Sequence, residues 1–150
     1  MITRELFDSD YAAVLELAAT CETGCGFASS AEAAALWLRW QLVGTILGSF
    51  DGGRLVSLRV IEAVAPGLVR LRAQFHRDAM AGGLGEPTRR AARGFIAWCR
   101  KHGVERIVVP PPPRPSRGDW TTVKAALQAV ERPDGAFEYS VDRLEEITRP

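Results

Sequence analysis

The residues of greatest chemical interest form a glycine-rich segment between a predicted strand and a predicted helix: Met80-Ala81-Gly82-Gly83-Leu84-Gly85-Glu86-Pro87-Thr88. Glycines at such a junction let backbone N–H groups approach a phosphate closely, because no Cβ stands in the way. The N-terminus of the following helix adds partial positive charge at the same place. The segment therefore predicts a binding site for a phosphorylated cofactor. The alternative is a flexible connection between strand and helix.

The cysteines and histidines predict neither a disulfide framework nor a metal site. Three cysteines are an odd number, which is typical of proteins in a reducing compartment. Cys21 and Cys25 are close in sequence, but His76 and His102 lie far from them and from each other. Because a structural zinc site needs about four ligands, we expect none here. Cys99 falls on the apolar side of a predicted helix, where we expect a buried thiol.

Length and composition predict one globular domain spanning residues 1–150. The chain is 47% apolar and 25% charged, which is ordinary for a protein with a hydrophobic core. Its 19 basic and 18 acidic residues give a formal net charge of +1, so no overall field favours nucleic acid or an acidic membrane. The sequence has no signal-peptide pattern and no apolar run long enough to span a bilayer. We therefore expect a cytoplasmic protein without a nucleic-acid or membrane partner.

The elements that position the glycine segment follow from the periodicity of apolar residues. Alternation over 68–75 predicts a strand with Val69, Leu71, Ala73 and Phe75 on one face, and the helix after Pro87 ends at Gly103. The strand Val104–Val109 follows that helix, so a right-handed crossover makes it parallel to the strand before the helix. The other predicted elements are strand Met1–Phe7, a helix from Asp8 or Ser9 to Thr20, a helix capped at Ser29 or Ser30, strands Thr45–Phe50 and Arg54–Val64 around a hairpin turn, a helix from Asp119 whose core face includes Val130, and strand Ala136–Asp142 before an uninformative tail.

This element order, with its glycine turn, resembles the GNAT superfamily of acyl-coenzyme-A-dependent N-acyltransferases. That resemblance implies an α/β (α+β) fold with a mixed, mostly antiparallel sheet flanked by helices. In the family, the fourth strand ends at a loop of pattern Arg/Gln-x-x-Gly-x-Gly/Ala that holds the cofactor pyrophosphate. Gly83-Leu84-Gly85 matches the second half of this pattern, whereas Met80 stands at the Arg/Gln position.

The resemblance also implies the ligands and the residues that bind them. The cofactor is acetyl-coenzyme A or another acyl-coenzyme A, and the acceptor is an amine on a small molecule or a protein. Homodimers are common among proteins of this kind. The residues implied for cofactor binding are Phe75, Met80, Ala81, Gly82, Gly83, Leu84, Gly85 and Glu86. Arg77 is a candidate to replace the missing Arg/Gln contact to the phosphates, and the alternative is a solvated loop arginine.

Three residues are candidates for the chemistry of acyl transfer. Removing the acceptor's proton needs a base, and the candidates near the end of the fourth strand are Glu62 and His76. The family commonly has a tyrosine in the last helix that protonates the leaving thiolate, but no tyrosine occurs between Trp120 and Pro133. Tyr139, on the next strand, is the candidate to replace it. The alternative for Tyr139 is ordinary packing within the sheet.

Two further function classes agree with the sequence. A GNAT-like fold that has lost catalysis would act as a structural or protein-interaction module, and Met80 together with the absent helix tyrosine suits that interpretation. A nucleic-acid module would use the basic face of the helix after the glycine turn, but acidic residues elsewhere cancel the field and a solvated helix face accounts for these charges. We expect a retained enzyme to keep an open gap between the parallel strands, and a degenerate one to fill it with bulky side chains.

Overall fold

The computed structural model describes residues 1–20, 30–77, 85–111 and 120–150. Its strands are β1 (Ile2–Glu5), β2 (Thr45–Asp51), β3 (Arg54–Ala65), β4 (Leu68–His76), β5 (Arg106–Val109), β6 (Val130–Glu131) and β7 (Phe137–Ser140). Its helices are α1 (Tyr11–Thr20), which follows a 3-10 turn over Asp8–Asp10, α2 (Ser30–Val43), α3 (Glu86–Lys101), α4 (Trp120–Leu127) and α5 (Val141–Thr148). None of these helices has the length and hydrophobicity of a membrane-spanning segment.

The strands form one sheet in the order β1-β2-β3-β4-β5-β7-β6. All neighbouring strands are antiparallel except β4 and β5, so the predicted mixed sheet and its parallel pair are confirmed. The tight β2–β3 connection uses Gly52 and Gly53 at φ 58° and 80°, a left-handed conformation that glycine adopts without strain.

The pairing of β4 with β5 is short, and this opens the sheet. Only Leu68, Val69 and Arg70 pair with β5, at Arg106, Ile107 and Val108, although β4 continues to His76. The carboxyl-terminal half of β4 therefore has no hydrogen-bonded partner on its β5 side among the described residues. We call this opening the β4–β5 gap.

A β-bulge in β4 decides which side chains face the gap. Val60 of β3 pairs with Ala73 and the next residue, Ile61, pairs with Leu71, so Arg72 is an extra residue in β4. One extra residue exchanges the two faces of a strand beyond it. The prediction that Val69, Leu71, Ala73 and Phe75 share one face is therefore wrong: Val69 and Leu71 pack with α3, whereas Phe75 and Ala73 pack with α1 and α2.

Two hydrophobic cores lie on opposite faces of the sheet. One contains Leu17 of α1, Trp37 and Trp40 of α2, and Phe75, so these two tryptophans are core residues. The other packs α3, α4 and α5 against the opposite face and centres on Phe95, which is fully buried. Burial of apolar surface on both faces is what holds the β4–β5 gap between rigid layers.

The carboxyl-terminal part of the chain differs from the prediction. Helix α4 ends at Leu127, because Gln128 adopts a left-handed conformation at φ 52°, and Val130 lies in the short strand β6 with 60% of its surface exposed. The segment treated as a tail forms α5, whose first turn is capped by the Ser140 hydroxyl accepting a hydrogen bond from the Arg143 N–H. Its buried Val141 and Leu144 help to close the core beneath the gap.

Candidate functional site

A small cavity lies at the β4–β5 gap, on the face covered by α3, α4 and α5. Its volume is about 40 Å³, which is room for roughly three water molecules. Apolar side chains of α4 and α5 form one wall. The polar lining residues are Arg59, Gln74, His76, Thr88 and Tyr139.

Each polar lining residue comes from a different position around the gap. Arg59 and Gln74 are register partners on β3 and β4, and the bulge turns Gln74 and His76 toward α3. Thr88 lies in the first turn of α3, and Tyr139 lies on β7 opposite Ile107 of β5. The splayed strands and the helix beginning between them therefore converge on one polar cavity.

Arg59 is the charged group of this cavity, and the sequence analysis missed it. Only 6% of its surface is exposed. It donates a hydrogen bond to the Ser57 hydroxyl at 3.2 Å, and its guanidinium carbon lies 4.9 Å from the centre of the Phe95 ring. No carboxylate among the described residues pairs with it, and burial lowers its pKa to about 10. The available signal was an arginine set between the apolar residues Leu58 and Val60.

His76 is held in a neutral state. Its ring is buried, and Nδ1 lies 2.9 Å from the Ser57 hydroxyl oxygen, which also accepts the hydrogen bond from Arg59. Burial, and then the charge of Arg59, place the pKa of His76 well below its usual value. A neutral imidazole can accept a proton, but a strongly lowered pKa makes it a weak base near neutral pH.

Tyr139 shares the cavity with His76, so the structure brings two of the three catalytic candidates together. Its ring is buried and stacks on Phe137 with 6.2 Å between the ring centres. Burial raises the pKa of the phenol, which therefore stays protonated and can donate a hydrogen bond.

Glu62, the third candidate, does not line this cavity. It pairs with Arg70, near the N-terminal end of β4, whereas the cavity lies at the C-terminal end of that strand. One carboxylate oxygen lies 3.5 Å from a guanidinium nitrogen of Arg70 and 3.5 Å from one of Arg72. Glu62 therefore forms a surface ion-pair cluster with Arg70 and Arg72.

The N-terminus of α3 lies next to the cavity through Thr88. Gly85 precedes the helix with extended backbone (φ −61°, ψ 159°), and no side chain of the described residues caps the first turn. Among the described residues, a Cβ added at Gly85 would meet only the Pro87 ring, at 4.0 Å. Glu86 forms an ion pair with Arg93 at 2.9 Å, which leaves the backbone of Glu86 as the part that could bind an anion.

The other residues predicted for cofactor binding fall into two groups. Met80, Ala81, Gly82, Gly83 and Leu84 lie outside the described residues. Arg77 is bound to Glu16 of α1 and donates a hydrogen bond to the Leu55 carbonyl oxygen at 2.8 Å, so it ties β4 to α1. Phe75 packs against Trp40 in the core opposite α3, with 6.0 Å between the ring centres. The side chains of Arg77 and Phe75 therefore serve the fold.

Comparison with known proteins gave matches at the level of structure. No family model and no curated protein sequence matches the chain. An N-acetyltransferase from Thermoplasma acidophilum, solved in complex with coenzyme A, superposes with a TM-score of 0.63 over 93% of this chain and 98% of that chain, at 14% identity. The chain has the fold of the GNAT N-acetyltransferases. The predicted resemblance is thus confirmed for the fold.

Two further solved structures agree with this assignment. The ribosomal-protein-S18-alanine N-acetyltransferase from Escherichia coli has a TM-score of 0.65 at 11% identity, and the match covers 93% of each chain. A second Escherichia coli GNAT N-acetyltransferase, also in complex with coenzyme A, has a TM-score of 0.58 at 15% identity over 99% of this chain and 92% of that chain.

Two features of this chain fit an acyl-coenzyme A. No described side chain caps the first turn of α3, so its backbone N–H groups can bind a phosphate, and among the described residues only Pro87 lies within 4.0 Å of a Cβ built at Gly85. The cavity next to it matches the size of an acyl group and is far smaller than the whole cofactor. The described residues thus fit the two ends of the implied cofactor, a phosphate outside the gap and an acyl group within it.

Proposed function

We propose that the protein is an N-acyltransferase that moves an acyl group from acyl-coenzyme A to an amine. The observation that carries this proposal is the β4–β5 gap, which holds a polar cavity beside the uncapped N-terminus of α3 in a GNAT fold. When bound, the cofactor would supply the acyl group as a reactive thioester. Backbone N–H groups at Gly85 and Glu86 would bind its pyrophosphate, together with the predicted loop residues before them.

The cavity supports catalysis through hydrogen-bond donors that line the gap between the strands. Tyr139 keeps its phenolic proton and is assigned as a donor to the thioester carbonyl oxygen or to the departing sulfur. His76, neutral and bonded to Ser57, is assigned as the group that accepts the amine proton transiently. Its weak basicity suits an acceptor that passes the proton on to solvent.

The openness of the gap argues for retained catalysis. A degenerate protein has no need to keep buried polar groups, because apolar replacements of similar volume would stabilise the fold. Here Arg59, Gln74, His76 and Tyr139 all line the space between the strands. Buried polar groups of this kind lower the stability of a protein that serves only as a scaffold, whereas an enzyme can use them for catalysis.

The experiment is an assay of free thiol released from acetyl-coenzyme A in the presence of a panel of amines: amino acids, polyamines, aminoglycosides and a peptide with a free N-terminus. We expect release that depends on one amine class, and a fall in kcat of about tenfold to a hundredfold for Tyr139→Phe, since a transition-state hydrogen bond is lost. His102→Gln is the matched control, because His102 is exposed and stacks on Trp98 away from the cavity. If no amine in the panel increases the rate of thiol release, the proposal is contradicted.

A further inference from the structure

The cavity contains a buried cation that no acidic side chain of the described residues balances. Arg59 is 6% exposed, and the structure gives its guanidinium one hydroxyl acceptor, Ser57, and one aromatic neighbour, Phe95. The described residues that line the cavity include no acidic side chain. A buried charge without a partner is strongly unfavourable in a folded protein, so its presence calls for a ligand that compensates it.

The positive charge of the described lining residues would be balanced by a ligand that carries a single negative charge. Burial keeps His76 and Tyr139 neutral, and burial also raises the pKa of the neighbouring Cys99 thiol to about 12. Arg59 is then the sole charged group among the described lining residues. A carboxylate carries one negative charge, whereas a phosphate would bring close to two and leave the cavity overcompensated.

The hydrogen-bonding groups and the volume also match a carboxylate. Arginine presents its N–H donors in a fork that fits the two oxygens of a carboxylate. The Gln74 amide lines the same cavity and has no hydrogen-bond partner among the described residues. A cavity of about 40 Å³ has room for a carboxylate.

We propose that the β4–β5 cavity binds a carboxylate group of the substrate, held by Arg59 and by a hydrogen bond from the Gln74 amide. The substrate class follows, and this part rests on the proposed acyltransferase function. The carboxylate belongs either to the acyl donor, as in a thioester of a dicarboxylic acid, or to the acceptor, as in an amino acid.

The first experiment tests the carboxylate site without any thioester. Propionate and its neutral isostere propionamide are titrated into the protein, and binding is measured by calorimetry and by the shift in Tm. We expect propionate to bind and to raise Tm, propionamide to do neither, and Arg59→Met to weaken propionate binding roughly tenfold to a hundredfold. The control Arg39→Met, on the exposed side of α2, is expected to bind propionate as the wild type does.

A second variant keeps the test decisive if Arg59→Met fails to fold. Arg59→Lys retains the charge and loses the two-pronged geometry, so we expect intermediate affinity for propionate. Equal binding of propionate and propionamide, or unchanged propionate binding in both Arg59 variants, would overturn the proposal.

The second experiment identifies the source of the carboxylate. Wild type and Arg59→Met are compared with acetyl- against succinyl-coenzyme A, and with ethylamine against glycine as acceptor. If Arg59→Met transfers the acyl group more slowly than wild type only with succinyl-coenzyme A, the carboxylate belongs to the donor. If it is slower only with glycine, the carboxylate belongs to the acceptor. A defect of equal size with all four compounds would overturn the substrate assignment. Propionate binding without any acyl transfer would contradict the proposed function and leave the carboxylate site standing.

Discussion

Replacing Arg59 by methionine is expected to stabilise the ligand-free protein. Burial lowers the pKa of Arg59 from 12.5 to about 10, and this difference corresponds to a penalty of about 3 kcal/mol on its charged form. Methionine keeps an unbranched stem against Phe95 and removes the charge, but it leaves the space of the guanidinium empty. We therefore expect the free energy of unfolding to rise by about 1–3 kcal/mol, within the range seen when unfavourable buried charges are replaced by apolar groups.

The assay is urea unfolding followed by tryptophan fluorescence, because Trp37 and Trp40 are buried in the core. For a domain of this size the expected gain corresponds to a rise in Tm of roughly 3–10 °C. Arg39→Met, at an exposed position of α2, is the matched control and should change stability by less than about 0.5 kcal/mol. A loss of about 3–5 kcal/mol in Arg59→Met would refute the reasoning, because that is the cost of breaking a compensated buried ion pair.

Two further predictions concern the frame around the site. Gly44→Ala places a Cβ 1.9 Å from the Ile61 carbonyl oxygen and should cost about 3 kcal/mol or more in urea unfolding, whereas Gly85→Ala has open space and should change stability by less than about 1 kcal/mol. Asp10→Asn should cost about 1–3 kcal/mol at pH 7, because two hydrogen bonds from Arg4 hold the pKa of Asp10 below its usual value. This contribution to stability is present above about pH 4 and is lost as the pH falls through the lowered pKa of Asp10, so wild type and Asp10→Asn should have similar free energies of unfolding in acid. A loss of stability in Asp10→Asn that is as large at pH 2 as at pH 7 would contradict this prediction.

The fold could be predicted from the sequence because its signals are local. The alternation before the glycine segment, the helix that follows and the stop at Gly103 determine a strand, a crossover helix and a parallel strand. The bulge at Arg72 could not be predicted, since the extra residue is defined only by the register against β3. Helix α5 was missed although Val141, Leu144 and Ile147 have helical spacing, because its short length and polar composition made it look like a tail.

The site was predictable only in part. His76 and Tyr139 were found through the order of elements, and the structure brings both to one cavity. Arg59 was missed because a buried charge has no periodic signal in a strand, and its environment depends on burial by α3 and β7. Arg77 was a candidate to replace the missing Arg/Gln contact to the phosphates, whereas the structure pairs it with Glu16, which is distant in sequence.

Binding of acetyl-coenzyme A tests the central claim most directly. The measurement is calorimetric titration of wild type, Gly85→Glu and Gly85→Gln. The two variants have side chains of nearly equal size, and the backbone at Gly85 accepts both without strain. The account predicts saturable binding by wild type, weaker binding by Gly85→Gln and loss of binding by Gly85→Glu, because a carboxylate at the helix N-terminus repels the pyrophosphate. No binding by wild type at millimolar acetyl-coenzyme A, or equal binding by the two variants, would contradict it.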